Sequence, residues 1–154
     1  MKINTSRFGE TEIEDEKIIK FSKGILGFES SKRFALIRAD ETMPLYWLQS
    51  MDEDISLPCI NPYEFFPDYA PMVDKSGLSE IKAKDVETLL VLTAVVVREN
   101  PLDTTANLAA PIVVNIKNNM GAQIVLQNTS YDVRERLFSE KEGAGNAGTV
   151  KKAQ

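Results

Sequence analysis

The chain has no histidine and a single cysteine, Cys59. Without imidazole, serine–histidine and cysteine–histidine nucleophile pairs are excluded, as are zinc sites that use histidine. One thiol cannot build an internal disulfide framework and is compatible with a reducing cytoplasm. No apolar run approaches the roughly 20 residues of a membrane-spanning helix. The first residues, Met1-Lys2-Ile3-Asn4-Thr5-Ser6-Arg7, lack the apolar core of a signal peptide. The expectation is a soluble, cytoplasmic protein without a membrane partner. Positive charge is also in deficit, with 18 Lys and Arg against 23 Asp and Glu, for a net charge of -5. Recognition of a nucleic-acid backbone relies on clustered basic side chains that release counterions. An acidic chain is better suited to basic partners, or to staying in solution.

What is present is an ordinary globular composition. Hydrophobic residues make up 43% of 154 residues, enough for one domain with its own core. We place that domain at residues 1–141. Residues 142–154 are poor in bulky side chains and read as a disordered tail.

Short β-rich runs recur along the chain, at residues 3–8, 17–21, 34–38, 44–50, 57–60, 89–97, 112–116 and 124–126. The last two read as a hairpin through Lys117-Asn118-Asn119-Met120-Gly121, because Asn tolerates the left-handed region and Gly enters it freely. Pro111 fits the first position of its strand, and Pro58 suits an edge strand, since neither can donate to a ladder. Helical turns are expected at 29–33, 75–81 and 131–138, with Asp85 capping a further turn. Gly24 and Gly27 bracket Ile25-Leu26, which implies a tight, buried turn; their spacing is not that of a phosphate loop. The fold class is therefore mainly β: an antiparallel barrel-like or strongly curled sheet of roughly eight strands, with a few short helices.

Two stretches are candidates for contact with partners. Glu10-Thr11-Glu12-Ile13-Glu14-Asp15-Glu16 reads either as a solvated hairpin edge protected by charge or as a docking strip for a basic partner. Tyr63, Phe65, Phe66 and Tyr69 lie where Pro62, Pro67 and Pro71 forbid a long regular element. These rings read as core, or as interface anchors if exposed. Glu64 and Asp68 would share one face of a helix and could form a catalytic carboxylate pair, but Pro67 argues against that helix. Phe65 and Phe66 could stack bases, but a basic groove is missing. No cofactor or metal is expected.

Four pieces, in order, resemble the bacterial flagellar assembly factor FliW family. They are Phe8-Gly9 followed by the acidic run and Ile18-Ile19-Lys20-Phe21; Lys23-Gly24-Ile25-Leu26-Gly27-Phe28-Glu29 with Arg33-Phe34; Trp47-Leu48-Gln49-Ser50 with Asn61-Pro62 and Phe66-Pro67-Asp68-Tyr69; and Asn107 through Asn115 with Gln123-Ile124-Val125-Leu126 and Tyr131. The resemblance implies a cytoplasmic, barrel-like protein that is not an enzyme. It implies binding of flagellin and, alternately, of CsrA, the carbon storage regulator that represses flagellin translation. Free protein would sequester CsrA, and flagellin would displace it. The alternative is a flagellin chaperone without CsrA regulation. On charge and aromatic content we assign electrostatic steering to Glu12, Glu14, Glu16, Asp52 and Glu53, with Asp54 beside them, and apolar anchorage to Phe65, Phe66 or Tyr69. Asn107 and Gln123 are expected to hold loop backbone. A monomer that does not bind nucleic acid directly is the expected state.

Overall fold

A computed structural model describes residues 1–38 and 44–138. Strands β1 (Lys2–Thr5) and β2 (Gly9–Glu12) form an antiparallel hairpin of their own, in the register Lys2↔Glu12 to Thr5↔Gly9. The main sheet contains β3 (Ile18–Phe21), β4 (Arg33–Ile37), β5 (Tyr46–Ser50), β6 (Ser56–Ile60), β7 (Leu89–Val96), β8 (Thr105–Ala106), β9 (Ile112–Asn115), β10 (Met120–Gln123) and β11 (Glu135–Arg136). Seven of these close on themselves in the order β7-β6-β5-β4-β3-β10-β9, because β9 pairs back onto β7. The barrel is antiparallel except where β3 runs parallel to β10. Closure removes the edges that an open curled sheet would expose.

Alternation along the strands separates the core into layers. One cluster takes a side chain from almost every barrel strand: Ile19, Phe21, Phe34, Leu48, Cys59, Leu92, Ile112 and Val114, with Ile25 beside them. Val95 faces the opposite way, into a second cluster with Ile60, Phe65, Phe66, Tyr69, Leu108 and Leu137. A third cluster, of Ile13, Ile18, Ala35 and Met51, fixes the β1–β2 hairpin to the barrel. Helix α1 (Lys75–Glu80) starts at Asp74, whose side chain accepts from the Gly77 amide at 2.9 Å. The chain that follows α1 buries Ile81 against Val113 and Ala122.

Several sequence expectations are corrected by the pairing. Residues 29–33 form no helix: Glu29 and Ser30 lie in a turn and Arg33 already belongs to β4. The second strand of the late hairpin is Met120–Gln123, not 124–126, and its turn lies at residues 116–119. Asn119 takes the left-handed conformation there, at φ 54°, whereas Gly121 sits inside the strand. The segment 131–138 closes as β11 against β8 rather than as a helical turn. Pro58 lies in an interior strand, between β5 and β7, not at an edge. The β5–β6 ladder loses nothing to it, because the bond from the Ser50 amide to the Ile55 carbonyl makes Trp47↔Pro58 a pair whose backbone groups point away from each other, and Pro58 lies just beyond the short β6–β7 ladder of Cys59↔Ala94 and Ile60↔Thr93. Gly24 adopts φ +69° in the expected tight turn, with Ile25 buried but Leu26 exposed. The boundary placed at residue 141 and the tail 142–154 lie outside the described residues.

Candidate functional site

The two acidic segments, some forty residues apart in sequence, are both tied to the N-terminal strand β1 and its turn. The N-terminal ammonium of Met1 donates to the Ile13 carbonyl at 2.6 Å and lies 3.3 Å from Glu12 and 3.6 Å from Asp15. At the other end of the hairpin, the Ser6 amide donates to Asp54 Oδ1 at 3.0 Å, and the Ser6 hydroxyl donates to Asp54 Oδ2. This fastens β1–β2 to the turn between β5 and β6. Residues Met1–Thr5 and Ser50–Asp54 line a common open groove.

Within that turn, the acids are organised by hydrogen bonds. Ser50 Oγ accepts from the amides of Asp52 and Glu53 at 3.0 and 2.9 Å. Asp52 Oδ1 accepts from Arg33 Nη2 at 2.6 Å and from Nε at 3.0 Å, while Oδ2 accepts from the Lys32 and Arg33 amides at 3.3 and 3.2 Å. Glu53 Oε1 accepts from the hydroxyls of Ser30 and Ser31. The Arg33 guanidinium, and then the Lys32 amide, hold the Asp52 carboxyl below its ordinary range against the opposing effect of burial. Ser31 and then Ser30 lower Glu53, and Ser6 lowers Asp54. All three acids therefore keep their charge well into acid, while much of their hydrogen-bonding capacity is used within the fold.

The acidic run differs. Glu12 shares the Met1 ammonium, but the side chains of Glu14 and Glu16 are exposed and engage no hydrogen bond or ion pair among the described residues. They project from a single 3-10 turn at Asp15–Lys17. Asn119 Nδ2 donates to the Glu16 carbonyl, which ties this turn to the β9–β10 hairpin. Sequence reasoning overlooked the basic element of the same hairpin. Arg7 lies over the Trp47 ring at 3.8 Å, and Phe8 meets that ring edge-on at 6.3 Å. A basic residue and an aromatic 40 positions apart carry no local signal of such stacking.

The aromatic anchors proposed from sequence are corrected. Phe65, Phe66 and Tyr69 are buried, at 7%, 0% and 3% exposure, and so offer a partner no surface in this conformation. Tyr69 donates to the Leu108 carbonyl at 2.6 Å and packs on Tyr131 at 4.7 Å between ring centroids. The ring of this cluster that reaches the surface is Tyr63, at 40%. Burial equally removes Phe65 and Phe66 as base-stacking platforms. Glu64 ends a 3-10 turn at Pro62–Glu64 and Asp68 lies in a later turn, so no helix places the pair on one face. Among the described residues, no group of three or more acids or thiols could hold a metal ion. Asn107 and Gln123 are structural: Asn107 accepts from the Ala109 amide, while Gln123 donates to the Ala110 carbonyl and accepts from the Leu26 amide. No helix among the described residues is long and apolar enough to cross a membrane.

Fold and surface together define a small closed β-barrel whose candidate site is an exposed, charge-bearing face of the kind that meets other proteins. The sequence matches the FliW protein family over residues 2–137, and the chain belongs to that family. It is 41% identical over 139 residues to the flagellar assembly factor FliW of Thermotoga sp. (strain RQ2), covering 89% of this chain and 93% of that protein. It is 39% identical over 146 residues to the flagellar assembly factor FliW of Caldanaerobacter subterraneus subsp. tengcongensis, covering 94% and 97%. A crystal structure of the flagellar assembly factor FliW superimposes with a TM-score of 0.85 at 34% identity, over 92% of this chain and 99% of the other.

Proposed function

We propose that this chain is a cytoplasmic, non-catalytic flagellar assembly factor that binds flagellin and, alternately, CsrA, and so relieves repression of flagellin translation. The observation that carries this reading is the near full-length match to flagellar assembly factors. The acidic end supports it, because Glu14 and Glu16 present negative charge that would attract a basic RNA-binding regulator. A partner switch also requires linkage. Flagellin releases CsrA only if the two binding events are coupled, through shared surface or through distinct conformations.

The test is a competition. The purified protein is mixed with the CsrA of its host, titrated with monomeric flagellin and followed by size-exclusion chromatography. Co-elution with CsrA, lost as flagellin is added, is the expected result. Binding of flagellin without any binding of CsrA would reduce the role to that of a flagellin chaperone. Binding of neither would remove the proposal.

A further inference from the structure

The β1–β2 hairpin stands outside the closed barrel and keeps edges of its own. Its ladder fixes which backbone groups are spent. The Met1 ammonium donates to the Ile13 carbonyl at 2.6 Å, and the Ile13 amide donates to the Met1 carbonyl at 2.8 Å. Bonded pairs alternate along an antiparallel ladder, so the next ones are Ile3↔Thr11 and Thr5↔Gly9. Glu10 and Glu12 occupy the intervening positions and turn both N–H and C=O away from β1. Among the described residues no strand lies beside them. The Glu14 amide continues the row, since Glu14 is extended at φ -66°, ψ 137°.

The two edges differ in access. β1 runs along the groove it shares with Ser50–Asp54, whereas β2 leaves Gly9, Glu10 and Glu12 exposed. Ile3 and Ile13 turn to the barrel, so the side chains of Glu10 and Glu12 point to solvent. Residues 9–16, along which a further strand would run, carry Glu10, Glu12, Glu14, Asp15 and Glu16 and no Lys or Arg. The neighbouring cations are placed elsewhere. The Met1 ammonium lies between the Ile13 carbonyl, Glu12 and Asp15, and Lys2 is on the far strand, opposite Glu12. Arg7 stacks on Trp47 beyond the hairpin turn, and Lys17 closes the 3-10 turn. Lys20 and Lys117 share a groove with Asp15 and Glu16 on the barrel side. Glu10 and Glu14 are left without an ion-pair partner among the described residues, and Glu12 shares one.

We propose that the outer edge of β2 is a docking site for an extended basic segment of a partner protein, which adds as a third strand beside Glu10–Glu14. The register dictates the sequence that this segment has. Residues opposite Glu10, Glu12 and Glu14 present their side chains on the same solvent face, where Lys or Arg meets each carboxylate. The residues between them turn toward the barrel beside Thr11 and Ile13, where β-branched side chains fit. The occupant is therefore a strand in which basic and β-branched residues alternate. A second copy of this chain is a poorer occupant, because pairing β2 with itself would set the same glutamates against one another. The charge that keeps this edge from self-association is what selects a basic strand. The inference rests on reading the acidic run as the contact for a basic partner, and adds the mode of contact.

The test uses two fluorescein-labelled peptides of one composition, Lys-Val-Lys-Val-Lys and Lys-Lys-Lys-Val-Val, titrated with the intact protein by fluorescence anisotropy. The alternating peptide is expected to bind about tenfold more tightly and to slow hydrogen exchange of the Glu10 and Glu12 amides. Glu12→Pro removes an amide that β1 does not use, whereas Glu12→Gln removes only the charge. The proline variant should therefore lose about tenfold more affinity than the glutamine variant. Should Glu12→Pro fail to fold, exchange at Glu10 and Glu12 in the wild-type complex decides alone. Equal affinity for the two peptides, or unchanged exchange at both amides, would overturn strand addition and leave a strip that merely attracts cations. Binding of neither peptide would overturn it as well. The reading on which the inference rests is decided separately, by the competition between CsrA and flagellin.

Discussion

Phe21 and Gly121 are Cα partners across the parallel seam where β3 meets β10, and the Phe21 ring occupies the space that a side chain at position 121 would need. A Cβ on Gly121 would fall 2.6 Å from Phe21 Cζ and 2.7 Å from Cε2. The ring is fully buried and meets Phe34 edge-on at 5.4 Å, so it has no solvent-facing route of escape. Glycine at 121 is thus a packing requirement of barrel closure.

Gly121→Ala is expected to destabilise the protein by about 1–3 kcal/mol through overpacking. Urea denaturation reads this as a lower midpoint at unchanged slope. The double variant Gly121→Ala with Phe21→Leu is expected to lose less than the two single losses added together, because the smaller side chain makes room. Strict additivity would show that the two positions do not share this space.

The Arg33–Asp52 pair sets a pH dependence. The folded-state pKa of Asp52 is lowered by its hydrogen bond from Arg33 and then by the Lys32 amide, so it lies below the unfolded value of about 3.9. Its contribution to stability is therefore complete above that value and is lost as pH falls through the folded pKa. The side chains of Asp52 and Arg33 are 29% and 39% exposed, so solvent screening holds the effect of Asp52→Asn to about 1 kcal/mol at neutral pH. The stability difference between wild type and variant should shrink as pH falls from about 5 to about 3. A difference that stays constant over that range would assign the effect to shape alone.

Cys59 lies in the barrel interior with no exposed surface, and burial pushes its thiol up to about 12. Since the thiolate is the reactive form, Ellman's reagent should leave the native protein unlabelled at neutral pH and titrate one thiol once urea unfolds it. Complete labelling within minutes under native conditions would mean that the wall around β6 opens far more readily than its packing implies.

Reversal of charge at Glu12, Glu14 and Glu16 to Lys should slow association with CsrA about tenfold at low ionic strength, and the difference should vanish at high salt. The fold should survive, since these side chains are exposed. Stopped-flow association rates over a salt series make the measurement. Equal rates at low salt would remove the steering role of the run.

Most strands were legible in the sequence because apolar and β-branched runs report burial locally: β3 to β7 and β9 fall within a few residues of their expected positions. The elements misread were those whose conformation depends on a distant partner. Residues 131–138 have helical composition, yet Glu135 and Arg136 extend to pair with Ala106 and Thr105. Gly121 reads as a turn residue until Phe21 is placed beside it. The acidic run was visible as a run, but the attachment of its hairpin to the Asp52-Glu53-Asp54 turn depends on Ser6 reaching Asp54 across 48 residues.

The mainly β class, the acidic balance and the absence of histidine chemistry are readable from the chain alone, because composition and period-two patterning act residue by residue. Which aromatics are core, which carboxylates are engaged and how β7 is shared between β6 and β9 emerge from the fold. Burial and hydrogen bonding belong to pairs of residues, and which residues pair was settled by the barrel closing β9 onto β7.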